Sequence, residues 1–123
     1  MIGYTSLGTN DLKASAAFYD ALLKGLNARR IMEFDDFIVW GTDDQSPAFS
    51  VHLPFDGLPA TVGNGVMVAL SARDRAQVDS VYQKAMSLGA TDEGKPGQRA
   101  ENGFYAAYFR DPDGNKLNVH HMG

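Results

Sequence analysis

The chain repeats itself, and the repeat limits what it can fold into. Tyr4, Asp11 and Tyr19 align with Met67, Asp74 and Tyr82 at an offset of 63, and Leu7 falls on Leu70 at the same offset. Gly25 pairs with Gly89. At an offset of 68, Trp40 lies on Tyr108 and Phe49-Ser50-Val51-His52 on Leu117-Asn118-Val119-His120. Two copies at so long a period exclude a solenoid. A duplicated α+β unit is what remains.

Each copy reads in the same order. In the first, Gly3 to Leu7 is a short strand, and Asp11 offers an N-cap. Leu12 to Leu23 then carries Phe18, Tyr19, Leu22 and Leu23 as a helical stripe. Gly25 is placed to stop it. Ile31–Phe34, Phe37–Trp40 and Ala48–Leu53 read as strands. Pro54 to Gly65 holds two prolines and three glycines, which marks a linker. Then the pattern restarts. Val66–Ala72 is a strand. Asp74, with Gln77 three residues on, resembles a capping box and opens a helix that Gly89 closes near Leu88. A short strand at Ala90–Asp92, a loop at Gly94–Asn102, and strands at Phe104–Arg110 and Lys116–His120 complete the copy. The last two strands are joined by Asp111-Pro112-Asp113-Gly114-Asn115. The expectation is one domain, 1–123, with βαβββ modules at 1–53 and 66–123 and a linker at 54–65.

Composition narrows the function classes. The chain has 123 residues and a net charge of −4, which disfavours nucleic acid or an anionic membrane as partner and suits a neutral or cationic guest. It has no cysteine, so disulfides, thiolate metal sites and thiol nucleophiles are excluded. Its opening lacks the character of a signal peptide, and its apolar runs are too short to span a bilayer. The cytoplasm is the expected location.

Strand alternation separates two sheet faces. Thr5, Leu7, Phe49, Val51, Leu53, Val66, Val68, Leu70, Leu117 and Val119 share an apolar face that should pack on the helices. Tyr4, Ser6, Ser50, His52, Met67, Ala69, Asn118 and His120 share the other. His52 and His120 are repeat-equivalent and on this second face. A histidine there is a candidate ligand or general base; the plain alternative is two solvated imidazoles. Trp40 and Tyr108 are either core or a stacking wall for a ligand. Arg99 is either solvated or a clamp for a carboxylate or phosphate.

Two passages carry a family resemblance. Leu7-Gly8-Thr9-Asn10-Asp11-Leu12-Lys13-Ala14-Ser15-Ala16-Ala17-Phe18-Tyr19 and Phe109-Arg110-Asp111-Pro112-Asp113-Gly114-Asn115-Lys116-Leu117 resemble the opening segment and closing hairpin of the glyoxalase/bleomycin-resistance (vicinal oxygen chelate) superfamily. The resemblance implies two βαβββ modules whose curved mixed sheets surround a cavity, often in a homodimer. In metal-dependent members, ligands stand on the first and last strand of each module. Those positions map to Tyr4, Ser50 or a neighbour, Met67 and Asn118. None of these four is an imidazole or carboxylate, as a divalent site requires. The expectation is therefore a metal-independent protein without cofactor that binds a small molecule, by sequestration as in the bleomycin-resistance branch or as a lyase-like protein. Tyr4, Trp40, Ser50, His52, Met67, Arg99, Tyr108, Asn118 and His120 are the candidate ligand-binding residues. The alternative is a metal-dependent lyase, isomerase or ring-cleaving dioxygenase with an atypical ligand set that includes His52 and His120. A third reading is an interaction domain whose cavity has closed.

Overall fold

A computed structural model describes all residues, 1–123. Its element order is the duplicated unit: β1 (Tyr4–Gly8), α1 (Leu12–Lys24), β2 (Arg29–Glu33), β3 (Phe37–Gly41), β4 (Ala48–His52), then β5 (Val68–Ser71), α2 (Arg75–Ser87), β6 (Thr91–Gln98), β7 (Tyr105–Arg110) and β8 (Lys116–His121). Each module forms its own four-stranded mixed sheet, ordered β1-β4-β3-β2 and β5-β8-β7-β6. The first strand of each pairs parallel to the last, and the other pairings are antiparallel.

Matching chemistry starts and stops the helices. The Asp11 carboxylate accepts from the backbone N–H of Ala14 at 3.0 Å, and Asp74 from that of Gln77 at 2.7 Å. At the C-terminal ends, the N–H of Ala28 reaches Leu23 O and that of Ala90 reaches Ala85 O, both at 3.0 Å. This closure needs a left-handed residue just before the last donor. Gly89 supplies it in α2, with φ 91°, and Asn27 in α1, with φ 62°. Asn27, not Gly25, is therefore the counterpart of Gly89. Gly25 keeps a right-handed φ of −65° and permits close approach, since a Cβ there would lie 3.5 Å from Val81 of α2.

The offset of 68 also needs correction for one strand. Trp40 pairs with Phe49, and Phe109 pairs with Leu117. The counterpart of Trp40 is thus Phe109, at an offset of 69, because the connection after β7 is one residue shorter than that after β3. Both side chains are buried on the helix-facing side, whereas Tyr108 points to the opposite face.

The expected loop at Gly94–Asn102 is strand as far as Gln98. Its polar, proline-bearing sequence disguises an edge strand. Register shifts between Asp92 and Gly94 and between Gly94 and Gly97 accommodate Pro96. β2 begins two residues earlier than its apolar run suggests, and β5 begins two residues later.

One continuous core of 19 buried residues runs through both modules. Tyr19 lies at its centre, with ring centroids of Phe18, Trp40 and Phe49 at 4.7–5.8 Å. The modules are also joined by a polar clasp. The buried Asp111 carboxylate accepts from Tyr19 Oη at 2.6 Å, Asn115 Nδ2 at 3.0 Å, and the backbone N–H groups of Asp113 and Asn115 at 3.0 and 2.9 Å. Asp113 accepts from Thr9 Oγ1 and the Asn10 N–H, and Asn115 donates to Gly8 O. Gln77 Nε2 donates to Gly25 O at 2.9 Å, tying the start of α2 to the end of α1. No helix is long and apolar enough to cross a membrane.

Candidate functional site

The sheet faces divide as the alternation requires. Leu7, Phe49, Val51, Leu117 and Val119 are buried against the helices. The opposite faces carry the polar candidates, and strand register sets them side by side.

On the first sheet, Tyr4, Ser6, Ser50 and His52 share this open face. Tyr4 is 66% exposed. Ser6 Oγ and His52 Nδ1 are 2.6 Å apart; the rotatable hydroxyl serves either imidazole tautomer. Ser50 is buried, and its hydroxyl is committed to Thr5 O at 3.0 Å.

On the second sheet, Tyr108 pairs with Asn118 and Ala106 with His120, so Tyr108, Asn118 and His120 line one face. His120 Nδ1 lies 3.0 Å from Asn118 Oδ1. An amide oxygen only accepts, so the proton sits on Nδ1 and Nε2 presents a free lone pair. Burial, then the neighbouring His121, lowers the His120 pKa and holds the ring neutral near pH 7. The Phe104 ring lies 5.6 Å from it. Arg99 Cζ sits 5.4 Å and Lys116 Nζ 5.5 Å from the Tyr108 ring centre. The Arg99 guanidinium is tethered by Ala106 O and Lys95 O.

Of the predicted residues, the structure therefore assembles Arg99, Tyr108, Asn118 and His120 on one sheet and Tyr4, Ser50 and His52 on the other. It does not place Trp40 with them. Trp40 is 1% exposed, on the helix-facing side, with Nε1 donating to Asp20 at 2.9 Å. Its indole packs in the core because β3 turns alternate residues inward there, so it presents no stacking wall on the open face. Lys116 is absent from the residues that alternation groups on this face, and Ser6, though grouped there, is not among the candidate ligand-binding residues. Their signal was the period of two: Ser6 stands two residues from Tyr4, and Lys116 two from Asn118.

The sheets do not close on one another, so the cavity expected between the faces is not enclosed within one chain. An apolar cavity of about 630 Å³ lies elsewhere. It sits beside β5 and the ends of α1 and β4, among Leu23, Leu26, Trp40, Phe49, Met67 and Leu70. The strands β1 and β5 that border it are unpaired sheet edges.

The sequence matches the model of the Glyoxalase/Bleomycin resistance protein/Dioxygenase superfamily over residues 1–119. A solved glyoxalase/bleomycin resistance protein from Albidiferax ferrireducens T118 is 34% identical, with a TM-score of 0.91 over 100% of this chain and 99% of that one. The chain belongs to this superfamily.

More distant structures share the superfamily's fold. A glyoxalase/bleomycin resistance protein/dioxygenase family enzyme from Burkholderia phytofirmans PsJN is 18% identical, with a TM-score of 0.79 over 98% of each chain. A lactoylglutathione lyase from Agrobacterium tumefaciens is 22% identical, with a TM-score of 0.70 over 98% of this chain and 92% of that one. No curated protein matches the chain.

The residues at the superfamily's metal positions do not suit a divalent ion. Tyr4 is a phenol that ionises near pH 10 and Met67 a neutral thioether. The Ser50 hydroxyl and the Asn118 amide oxygen are engaged in internal hydrogen bonds. No three His, Asp or Glu side chains converge anywhere in the chain.

Proposed function

We propose that this superfamily member binds a small organic molecule on its open sheet faces without a metal ion, by sequestration or as a lyase-like protein. The observation that carries the reading is the chemistry of Tyr4, Ser50, Met67 and Asn118. These four supply no anionic or imidazole donor to offset the desolvation of a 2+ ion, while the same faces present His52, Arg99, Tyr108 and His120 to a ligand. His52 and His120 serve as polar contacts.

The open faces are completed by a second copy of the chain in the cytoplasm. The unpaired edges of β1 and β5 and the exposed Ile2, Tyr4, Val66 and Met67 suit a homodimer that covers them. Light scattering at micromolar concentration should give twice the 13.3 kDa chain mass; a monomer would remove this part of the reading.

Elemental analysis of protein purified without chelator tests the central point. The expected result is far less than one equivalent of zinc, nickel, iron or manganese. About one equivalent per chain, lost in the His52→Ala, His120→Ala double variant, would replace this reading with the metal-dependent one.

A further inference from the structure

The acidic net charge of the chain pointed to a neutral or cationic guest, but the open face of the second sheet is locally the reverse. The chain has 15 acidic and 11 basic residues. Even so, neither Arg99 nor Lys116 has a carboxylate within ion-pair distance. The acid that register brings to that face, Glu93, is taken by Arg110. Two unneutralised cations therefore stand against one aromatic ring, beside His120 and Phe104.

The arrangement is held in place. Arg99 Nε and Nη2 donate to Ala106 O at 3.3 and 3.2 Å, and Nη2 also donates to Lys95 O. The Nη1 edge has no partner. Tyr108 fixes the plane of contact, and its hydroxyl makes no hydrogen bond within the chain. Gly94 makes the room: a Cβ there would lie 3.1 Å from the Tyr108 ring and 3.4 Å from Arg99 Nη2. A guanidinium already fixed in position loses little freedom on binding a planar oxyanion.

We propose that Arg99 and Lys116 form an anion-binding subsite against Tyr108, which takes the carboxylate or phosphate of a small aromatic or conjugated molecule. The subsite deepens the small-molecule reading above and rests on it. The oxyanion lies on the Arg99 Nη1 edge, and the Lys116 ammonium on the same Tyr108 ring adds its positive charge to the subsite. The unsaturated body lies toward Phe104 and His120, and the His120 Nε2 lone pair accepts from a ligand hydroxyl or amide.

The test titrates the full chain with sodium benzoate, phenyl phosphate and the neutral benzamide, followed by amide NMR shifts. Benzoate or phenyl phosphate should shift the resonances of β6 to β8, and benzamide should bind at least about tenfold more weakly. A tighter fit for benzoate assigns a carboxylate ligand, and a tighter fit for phenyl phosphate a phosphate. Arg99→Met and Lys116→Met should each weaken the preferred anion about tenfold, with an unchanged far-UV spectrum, and Lys116→Arg should retain it. Raising the salt should weaken binding in the wild type and less in the variants. Equal binding of benzamide, or anion affinity that survives the Arg99→Met, Lys116→Met double variant, would overturn the subsite. If that binding still depends on His52 and His120, the small-molecule reading stands without it. If none of the three probes shifts the open-face resonances, both fall.

Discussion

Two turns at equivalent places in the two modules show how the duplication diverged. Asp43 follows β3 and Asp111 follows β7, at an offset of 68. Each carboxylate accepts from two backbone N–H groups further along its own turn, Gln45 and Ser46 in one case, Asp113 and Asn115 in the other. Asp43 stops there, fully exposed, with its pKa lowered by those bonds. Asp111 is 3% exposed and meets Tyr19 from the other module. Its pKa is raised because burial outweighs its hydrogen bonds. Tyr19 and Tyr82 differ in a parallel way. Tyr19 donates across the modules to Asp111, and Tyr82 within its own module to Asp92 at 2.9 Å. One ancestral turn thus serves twice as a turn and once as the latch between halves.

Breaking the two turns should separate these roles most widely. Asp111→Ala strips the partner from the Tyr19 hydroxyl, the Asn115 amide and two backbone donors at a buried site. The expected loss is about 3 kcal/mol or more, read as a fall in the urea midpoint. Asp43→Ala removes an exposed acceptor whose donors water can satisfy, and the midpoint should stay where it is. Equal effects from the two would mean that burial of the second turn is not what joins the modules.

The tyrosines sharpen the same contrast with a smaller effect. Tyr19→Phe leaves Asp111 with one donor fewer inside the core and should cost about 1–2 kcal/mol. Tyr82→Phe frees an exposed Asp92 to water and should cost under about 1 kcal/mol. Chemical denaturation of the two single variants under one condition decides the order.

What was legible in the sequence follows from which signals are local. The helices, their Asp caps and the apolar face are set by residues three to four apart or by strict alternation, so they could be read directly. The left-handed closure of α1 could not, because Asn27 substitutes for the glycine that marks its counterpart, and Gly25 offers a decoy two residues away. The strand β6 was hidden because an edge strand with bulges has no apolar period. The site divided along the same line. Residues that share a face, such as Asn118 and His120, were grouped correctly. Trp40 was matched to Tyr108 because the one-residue difference between the connections is invisible without register. The clasp escaped because its partners are 92 to 107 residues apart.

The helix ends give the next comparison. Gly89 and Asn27 hold the same left-handed conformation. Gly89→Ala should cost about 1 kcal/mol, since a side chain is strained at that φ. Asn27→Gly should be neutral or stabilising by a few tenths, because the strain is already carried by the asparagine. A destabilising Asn27→Gly would show that the asparagine side chain contributes beyond tolerating the conformation. Differential scanning calorimetry resolves effects of this size.

The smallest effect concerns His120 of the second open face. Burial lowers the His120 pKa below its ordinary 6.5. The unfolded chain therefore binds a proton at this residue at a pH where the folded chain does not. Unfolding takes up that proton, so stability from this residue is fully present above about pH 6.5 and is lost as pH falls through the lower folded value. Partial exposure to solvent keeps the slope shallow. Thermal midpoints measured from pH 7.5 down to pH 5 should fall in the wild type and fall less in His120→Gln, which retains a side chain able to reach Asn118. A benzoate-type anion held by Arg99 and Lys116 would oppose that loss by favouring the imidazolium beside it. The pH dependence of the midpoint should therefore flatten when the anion is present. If the slope is the same in wild type and His120→Gln, the acid sensitivity belongs to carboxylates whose pKa the fold lowers, such as Asp20 beside Arg30, rather than to the open face.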